Sequence, residues 1–368
     1  MSTRVVAARR GLPRPSPGTT GGEGRDPGAH PTRLTWRWLG AGIAALLAAL
    51  LAGLALGPAG IPVEGIVADV ASRLPVVDIG TRLDRIDATV LWEIRAPRVA
   101  LGALVGAMLA LAGGSYQAVF HNPLADPYLL GVAAGAGLGA TVAIAYAGTG
   151  ASLLPVAAFA GAVIAVAAAY ALGRSVGVAS RASLILAGVA VAAFLTAIQA
   201  FVLQQNAESV RSVYIWLLGR LSTSGWGEVV TVVPYIAVSA ATILLHRRVL
   251  DVLRVGDEEA ATLGIAVTRV RLLIVVTATL GTAAAVAVSG LIGFVGILVP
   301  HAVRLLAGGA YRVVLPLAAL FGAAFLVLAD VVARTALAPA ELPIGVVTAC
   351  IGAPFFAVVL RTTRAVAP

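Results

Sequence analysis

The sequence predicts an all-α integral membrane protein of about ten transmembrane helices. Three observations predict it. Of the 368 residues, 60% are hydrophobic and only 12% are charged, whereas about a quarter of a soluble domain is charged. The mean hydropathy is +0.97. Ionisable side chains are also separated by apolar stretches long enough to cross the hydrocarbon core, which takes about 20 residues of helix. Helix is the form such stretches take, because it satisfies its own backbone N–H and C=O groups where no water can.

In chain order, residues 1–33 are rich in Gly, Pro, Ser, Thr and Arg with little to bury, and read as a disordered cytoplasmic tail. The first span lies between Arg37 and Glu64 and the second between Arg98 and His121. Asp126 to Arg174 is long enough for two crossings, with a turn at Gly148-Thr149-Gly150. Single spans follow from Arg181 to Glu208 and from Glu228 to His246. Arg271 to His301 is too long for one crossing, so Ser289-Gly290 divides it and a second helix runs from about Ile292 to Leu306. The last two spans lie between Arg312 and Asp330 and between Glu341 and Arg361. Residues 34–368 thus read as one polytopic domain. Gly102 and Gly106, and then Gly131, Gly135 and Gly139, recur at the spacing that lets helix backbones approach closely in lipid.

An even number of spans puts both termini on one side. Well over half of the arginines then fall in segments on the same side as the termini, so the positive-inside rule places both ends in the cytoplasm. The net charge of +9 is read as this topology signal, with anionic lipid as its partner in place of nucleic acid.

All 26 basic residues are Arg. With no Lys, a standard Walker A loop and Schiff-base chemistry are both excluded. The single cysteine, Cys350, permits no intrachain disulfide and no cysteine metal cluster; in its apolar run it reads as a small buried hydrophobe. No HExxH, GxSxG or paired-carboxylate arrangement supplies a catalytic centre, a cofactor site or a metal site. The spans hold almost no ionisable groups, which argues against a secondary transporter with a midplane ion site. Asp330 and Arg334 have the spacing of an i,i+4 ion pair, and the lone His301 after Pro300 reads as a packed residue. What remains is a conduit powered by a partner.

The loop at about 247–271 suits such coupling. Gly256 breaks the preceding segment, Asp257 is a good N-cap, Glu258 and Glu259 favour the first turn, and Gly264 is a good C′ residue. A short helix from about Glu258 to Leu263 is expected, either as a plain connector or as an element that enters a partner's groove.

Five stretches resemble one family. They are RAPRVALGALVGAMLALAGGSYQAVFHNPLADPYLLGVAAGAGLGA from Arg95 to Ala140, GDEEAATLG from Gly256 to Gly264, and SGLIGFVGILVPHAVRLLAG from Ser289 to Gly308. LADVVAR from Leu328 to Arg334 and ELPIGVVTACIGAPFF from Glu341 to Phe356 complete the set. The chain resembles the FecCD family of ABC transporters, permeases that import ferric siderophores, haem and vitamin B12. The resemblance implies a BtuC-like, type II ABC importer permease that is no enzyme itself. It implies a homodimer in the plasma membrane, two separate ATPase subunits, and an extracellular or periplasmic substrate-binding protein.

On the matching positions, Gly256, Asp257, Glu258, Glu259, Ala260, Leu263 and Gly264 would couple to the ATPase, and Arg95, Arg98 and Arg334 would dock the binding protein. The local alternatives are that Arg334 pairs with Asp330 and Arg95 with Glu93. Gln199, Gln204, Gln205 and Asn206 would line the pathway, or else form a polar helix end. A ferric siderophore is the leading cargo, with vitamin B12 (cobalamin) next and haem third. His121 departs from the family, where many members carry Arg.

Overall fold

The computed structural model describes residues 34–57, 60–72, 83–148, 153–175, 181–222 and 225–364. The expected tail, residues 1–33, lies outside them. Residues 31–368 form one unit, and its described secondary structure is helical throughout.

Among the described residues, seven helices are long and apolar enough to cross a membrane, and three shorter apolar helices accompany them. The long ones are α1 (Trp36–Ala55), α4 (Ala96–Phe120, continuous with residues before it), α6 (Leu154–Ser175), α7 (Arg181–Gln205), α9 (Gly227–Leu245), α12 (Val267–Ser289) and α14 (Tyr311–Thr335). The shorter ones are α5 (Val132–Ala147), α13 (Val295–Ala307) and the apolar part, Ile344–Val359, of α15 (Ile344–Arg364). Between them lie α2 (Val63–Ser72), α3 (Arg85–Thr89), α8 (Val210–Leu217), α10 (Arg247–Leu253) and α11 (Asp257–Thr262).

The central helix is α4, buried along most of its 25 residues. It packs on α14, α12, α13 and α9. Small residues make this possible. A Cβ on Gly106 would stand 2.2 Å from the carbonyl oxygen of Gly322 on α14, so the two backbones touch. Gly135 on α5 and Gly161 on α6 meet in the same way, each 2.2 Å from the other's carbonyl oxygen. Lipid tails are as apolar as Leu, so association in the bilayer rests on such close packing rather than on water exclusion. The glycine rows read from the sequence therefore describe internal helix contacts. α1 lies on the outside of this frame. It buries only Gly42, Ala49 and Gly53, and Ala49 packs with Val99 of α4 and Ala324 and Val327 of α14.

The breaks follow local chemistry. α5 ends at Gly148 (φ 83°), the first residue of the expected turn, whose next two residues lie outside the described ones. α12 ends at Ser289, and Gly290 follows at φ 67°, a conformation that costs Gly little. α13 starts three residues later than expected, because Phe294 takes a left-handed conformation at φ 69° just before it.

The backbone freed by this break is satisfied by neighbours, as membrane depth requires. The Tyr128 hydroxyl donates to the Ile292 carbonyl at 3.1 Å and accepts from the Ile292 N–H at 3.2 Å. The Arg220 N–H reaches the Ser289 carbonyl at 2.7 Å, and the Gly345 N–H reaches that of Leu218 at 3.0 Å. His301 packs edge-on against Phe355 of α15. Cys350 corrects the sequence reading: it is exposed on α15, on a face that this chain leaves uncovered.

Candidate functional site

The two ends of the bundle carry different charge chemistry. At one end α1 finishes and α4 begins. Pro97 stands near the start of α4 with no N–H to give. The turn before it widens into a π-helix over Val90–Arg95, in which the Ala96 N–H reaches back five residues to Leu91.

Arg95, last in that turn, is buried and donates through Nη1 to the carbonyls of Leu54 at 2.8 Å and Ala55 at 3.0 Å. Those are final carbonyls of α1, which lack helical donors, and a cation beside them also suits the helix dipole. Arg334, also buried, adds a hydrogen bond from Nη2 to the Gly53 carbonyl.

Arg98 bridges two carboxylates. Its Nε and Nη2 lie 2.8–3.0 Å from the Asp330 oxygens, and its Nη1 and Nη2 lie 2.9 Å from those of Glu341. The Asp330 side chain is 3% exposed and that of Glu341 is 47% exposed. Arg98 thus has one buried partner and one at the surface. Arg334 Nε lies 3.4 Å from Asp330, so the expected i,i+4 pair is present as an ion pair, without a hydrogen bond at Nε. The structure brings Arg95, Arg98 and Arg334 to one end, as the topology predicts, with their guanidiniums turned into the chain. A cavity of about 230 Å³ opens beside Arg98, Arg220, Asp330 and Glu341.

At the opposite end, α10 is fixed to the start of α14. Asp251 accepts from the backbone N–H groups of Tyr311 and Arg312 and pairs with Arg312 Nε at 3.1 Å. Arg254 Nη1 donates to the Gly309 carbonyl at 2.8 Å.

The short helix α11 follows. Gly256, in extended conformation, takes the N-cap position that the sequence suggested for Asp257. The reason lies outside the helix: Arg271 on α12 draws the Asp257 carboxylate into an ion pair at 2.8 Å. Ala260 is the buried anchor of α11. Glu258 and Leu263 are exposed, Leu263 at 70%, whereas the Glu259 carboxylate folds back over Gly256, and Gly264 closes the helix at φ 80°.

Gln199, Gln204, Gln205 and Asn206 do not form one cluster. Gln199 is buried, beside Gly137 of α5. Gln204 and Gln205 are exposed, and Asn206 Nδ2 donates to the Val202 carbonyl at 2.9 Å. Sequence reasoning missed Asp251 and the bridging role of Glu341. The anchoring partners of each lie roughly 60 or more residues away, so no local spacing signals them.

Residues 45–362 match the FecCD transport family. The chain belongs to that family. A cobalamin import system permease of Halobacterium salinarum is 45% identical over 74% of this chain and 73% of its own length. An Fe(3+)-citrate import system permease of Bacillus subtilis is 40% identical over 75% of this chain and 82% of its own. A solved structure described as a metal-chelate type ABC transporter in an inward-facing conformation superimposes with a TM-score of 0.76. It is 28% identical, and the match covers 89% of this chain and 99% of that one. As a FecCD member the chain is a multi-pass membrane protein and a transport permease of the ABC importer class.

Proposed function

We propose that this chain is the membrane permease of an ATP-driven importer for a metal chelate, working as a homodimer in the plasma membrane with both termini cytoplasmic. The observation that carries the reading is the family match across residues 45–362, over a bundle with a braced short helix at one end. Two copies of a separate ATPase dock at that end. Gly256, Asp257, Glu258, Glu259, Ala260, Leu263 and Gly264 form the coupling element: Ala260 anchors it, while Leu263 and the acids enter the ATPase groove.

At the other end an extracellular or periplasmic substrate-binding protein docks. Arg98 reaches the surface through its exposed partner Glu341, and Arg95 and Arg334 hold α1 in place beside it. Gln204 and Gln205 are free to face a pathway, whereas Gln199 is committed to packing.

The cargo read from the sequence is a ferric siderophore. A second reading, cobalamin, is favoured by the 45% identical relative. The test is reconstitution in proteoliposomes with the ATPase and binding protein encoded beside the gene, comparing ATP-dependent uptake of a labelled ferric siderophore and labelled cobalamin. ATP-dependent uptake of either supports the permease reading and assigns the cargo. Uptake driven by a proton or sodium gradient without ATP would overturn it in favour of a secondary transporter.

A further inference from the structure

We propose that the α10 end of the bundle carries a binding site for the phosphate headgroup of an anionic phospholipid, formed by Arg247, Arg248 and Arg312. The three come from two distant stretches of chain yet line one open cavity with Leu34. Arg37, three residues on from Leu34, lines another with Thr35, Trp38 and Ala41. Among the described residues, local anionic charge offsets only Arg312 of the three. Asp251 is the carboxylate paired with Arg312, and it already accepts the Tyr311 and Arg312 N–H groups. Arg247 makes a long contact of 3.4 Å to the Leu244 carbonyl, and Arg248 is exposed with no ion pair among the described residues. Arg312 sits in the first turn of α14, where the helix dipole favours an anion, so this placement of a cation leaves positive potential for an outside group to offset.

Two features select a lipid over a soluble phosphate. The arginines stand where apolar helices stop: α9 ends at Leu245, itself 79% exposed, and α14 begins at Tyr311. That is the level of the headgroups. Beside them α1 begins, with Trp36 81% and Ile43 42% exposed as an apolar wall. Guanidinium groups grip a phosphate through paired hydrogen bonds, and basic pockets between transmembrane helices hold anionic headgroups in this way.

The test uses the full chain purified in detergent and exchanged into nanodiscs of phosphatidylcholine with or without phosphatidylglycerol. Lipids retained on extraction are then counted by native mass spectrometry. The wild-type protein should retain phosphatidylglycerol in preference to phosphatidylcholine, and excess inorganic phosphate should not displace it. Arg248→Gln touches no described partner and should fold normally. It should weaken the preference roughly fivefold, as expected for one Arg near an anionic surface. The triple change Arg247→Gln, Arg248→Gln, Arg312→Gln should abolish the preference, while Arg211→Gln at the other end leaves it intact. Equal retention in wild type and Arg248→Gln would overturn the proposal, as would displacement by inorganic phosphate. Loss of ATPase capture with unchanged lipid retention would also overturn it, assigning the patch to a protein partner.

Discussion

The two ends of this bundle use arginine in opposite ways. At the α1–α4 junction the guanidiniums of Arg95 and Arg334 are buried, and Arg98 is held by two carboxylates. At the α10–α11 end Arg247 and Arg248 have no carboxylate partner among the described residues, and Glu258 is exposed. Charge at the first end is consumed in joining α1, α4, α14 and the segment before α15. Charge at the second is presented to whatever lies outside the chain. The same residue type thus acts as a fastener or as a contact according to its burial. The expected variants run from those that break the fastened end to those that barely disturb the presented one.

The largest effect on folding is expected at Asp330. Its removal leaves Arg98 without its buried partner and Arg334 without its near carboxylate. Breaking one side of a buried pair costs about 3–5 kcal/mol. Asp330→Ala should therefore lower the thermal unfolding midpoint in detergent sharply, whereas Glu341→Gln, at the exposed half of the same bridge, should cost less than about 1 kcal/mol. Equal effects from the two would refute the division of Arg98 into a buried and a surface half.

Next comes the helix contact that supports both ends. Gly106→Ala places a methyl group 2.2 Å from the Gly322 carbonyl oxygen, so α4 and α14 must separate. Overpacking of this kind costs about 1–3 kcal/mol. Ala at the unobstructed Gly40 should cost less than that, and unfolding of the two variants side by side checks it.

At the presented end the expected damage moves from stability to coupling. Ala261→Pro interrupts α11, where a helix-interior Pro costs about 3 kcal/mol locally. The frame should unfold as before, because only Ala260 of that helix is buried. Substrate-stimulated ATP hydrolysis by the assembled complex should be lost. Normal hydrolysis and import would show that α11 is a connector only.

Which of these features the sequence displays depends on how far away their causes lie. Spans are visible because ionisable residues are excluded from hydrocarbon one by one, and the Ser289-Gly290 break is visible because Gly accepts a conformation other residues resist. The start of α13 is not, since nothing in Phe294 itself favours φ 69° and tertiary packing imposes it. Arg95, Arg98 and Arg334 could be placed at one end from topology alone. Their orientation could not, because Arg98 meets a carboxylate 232 residues away and Arg334 a carbonyl 281 residues away. Asp257 shows the same limit at short range: its cap chemistry was legible, but the Arg271 that overrides it arrives only when α12 packs.

That override supports the smallest expected effect on folding. The Arg271–Asp257 pair is partly open to solvent, with side chains 17% and 39% exposed, and Arg271 engages it through Nη2 while Nε has no partner. Such pairs contribute about 0–1 kcal/mol and are screened by salt. Arg271→Ala also leaves Asp257 in the first turn of α11, where a carboxylate is favoured by the helix dipole, so part of the loss is returned. The unfolding midpoint should move little, and less at high ionic strength. What the pair does fix is the direction of α11, since it ties the start of that short helix to α12. If α11 couples to the ATPase, substrate-stimulated hydrolysis should fall in Arg271→Ala well below wild type but above Ala261→Pro. A variant with normal coupling would show that Ala260 and the α10 contacts alone orient the helix.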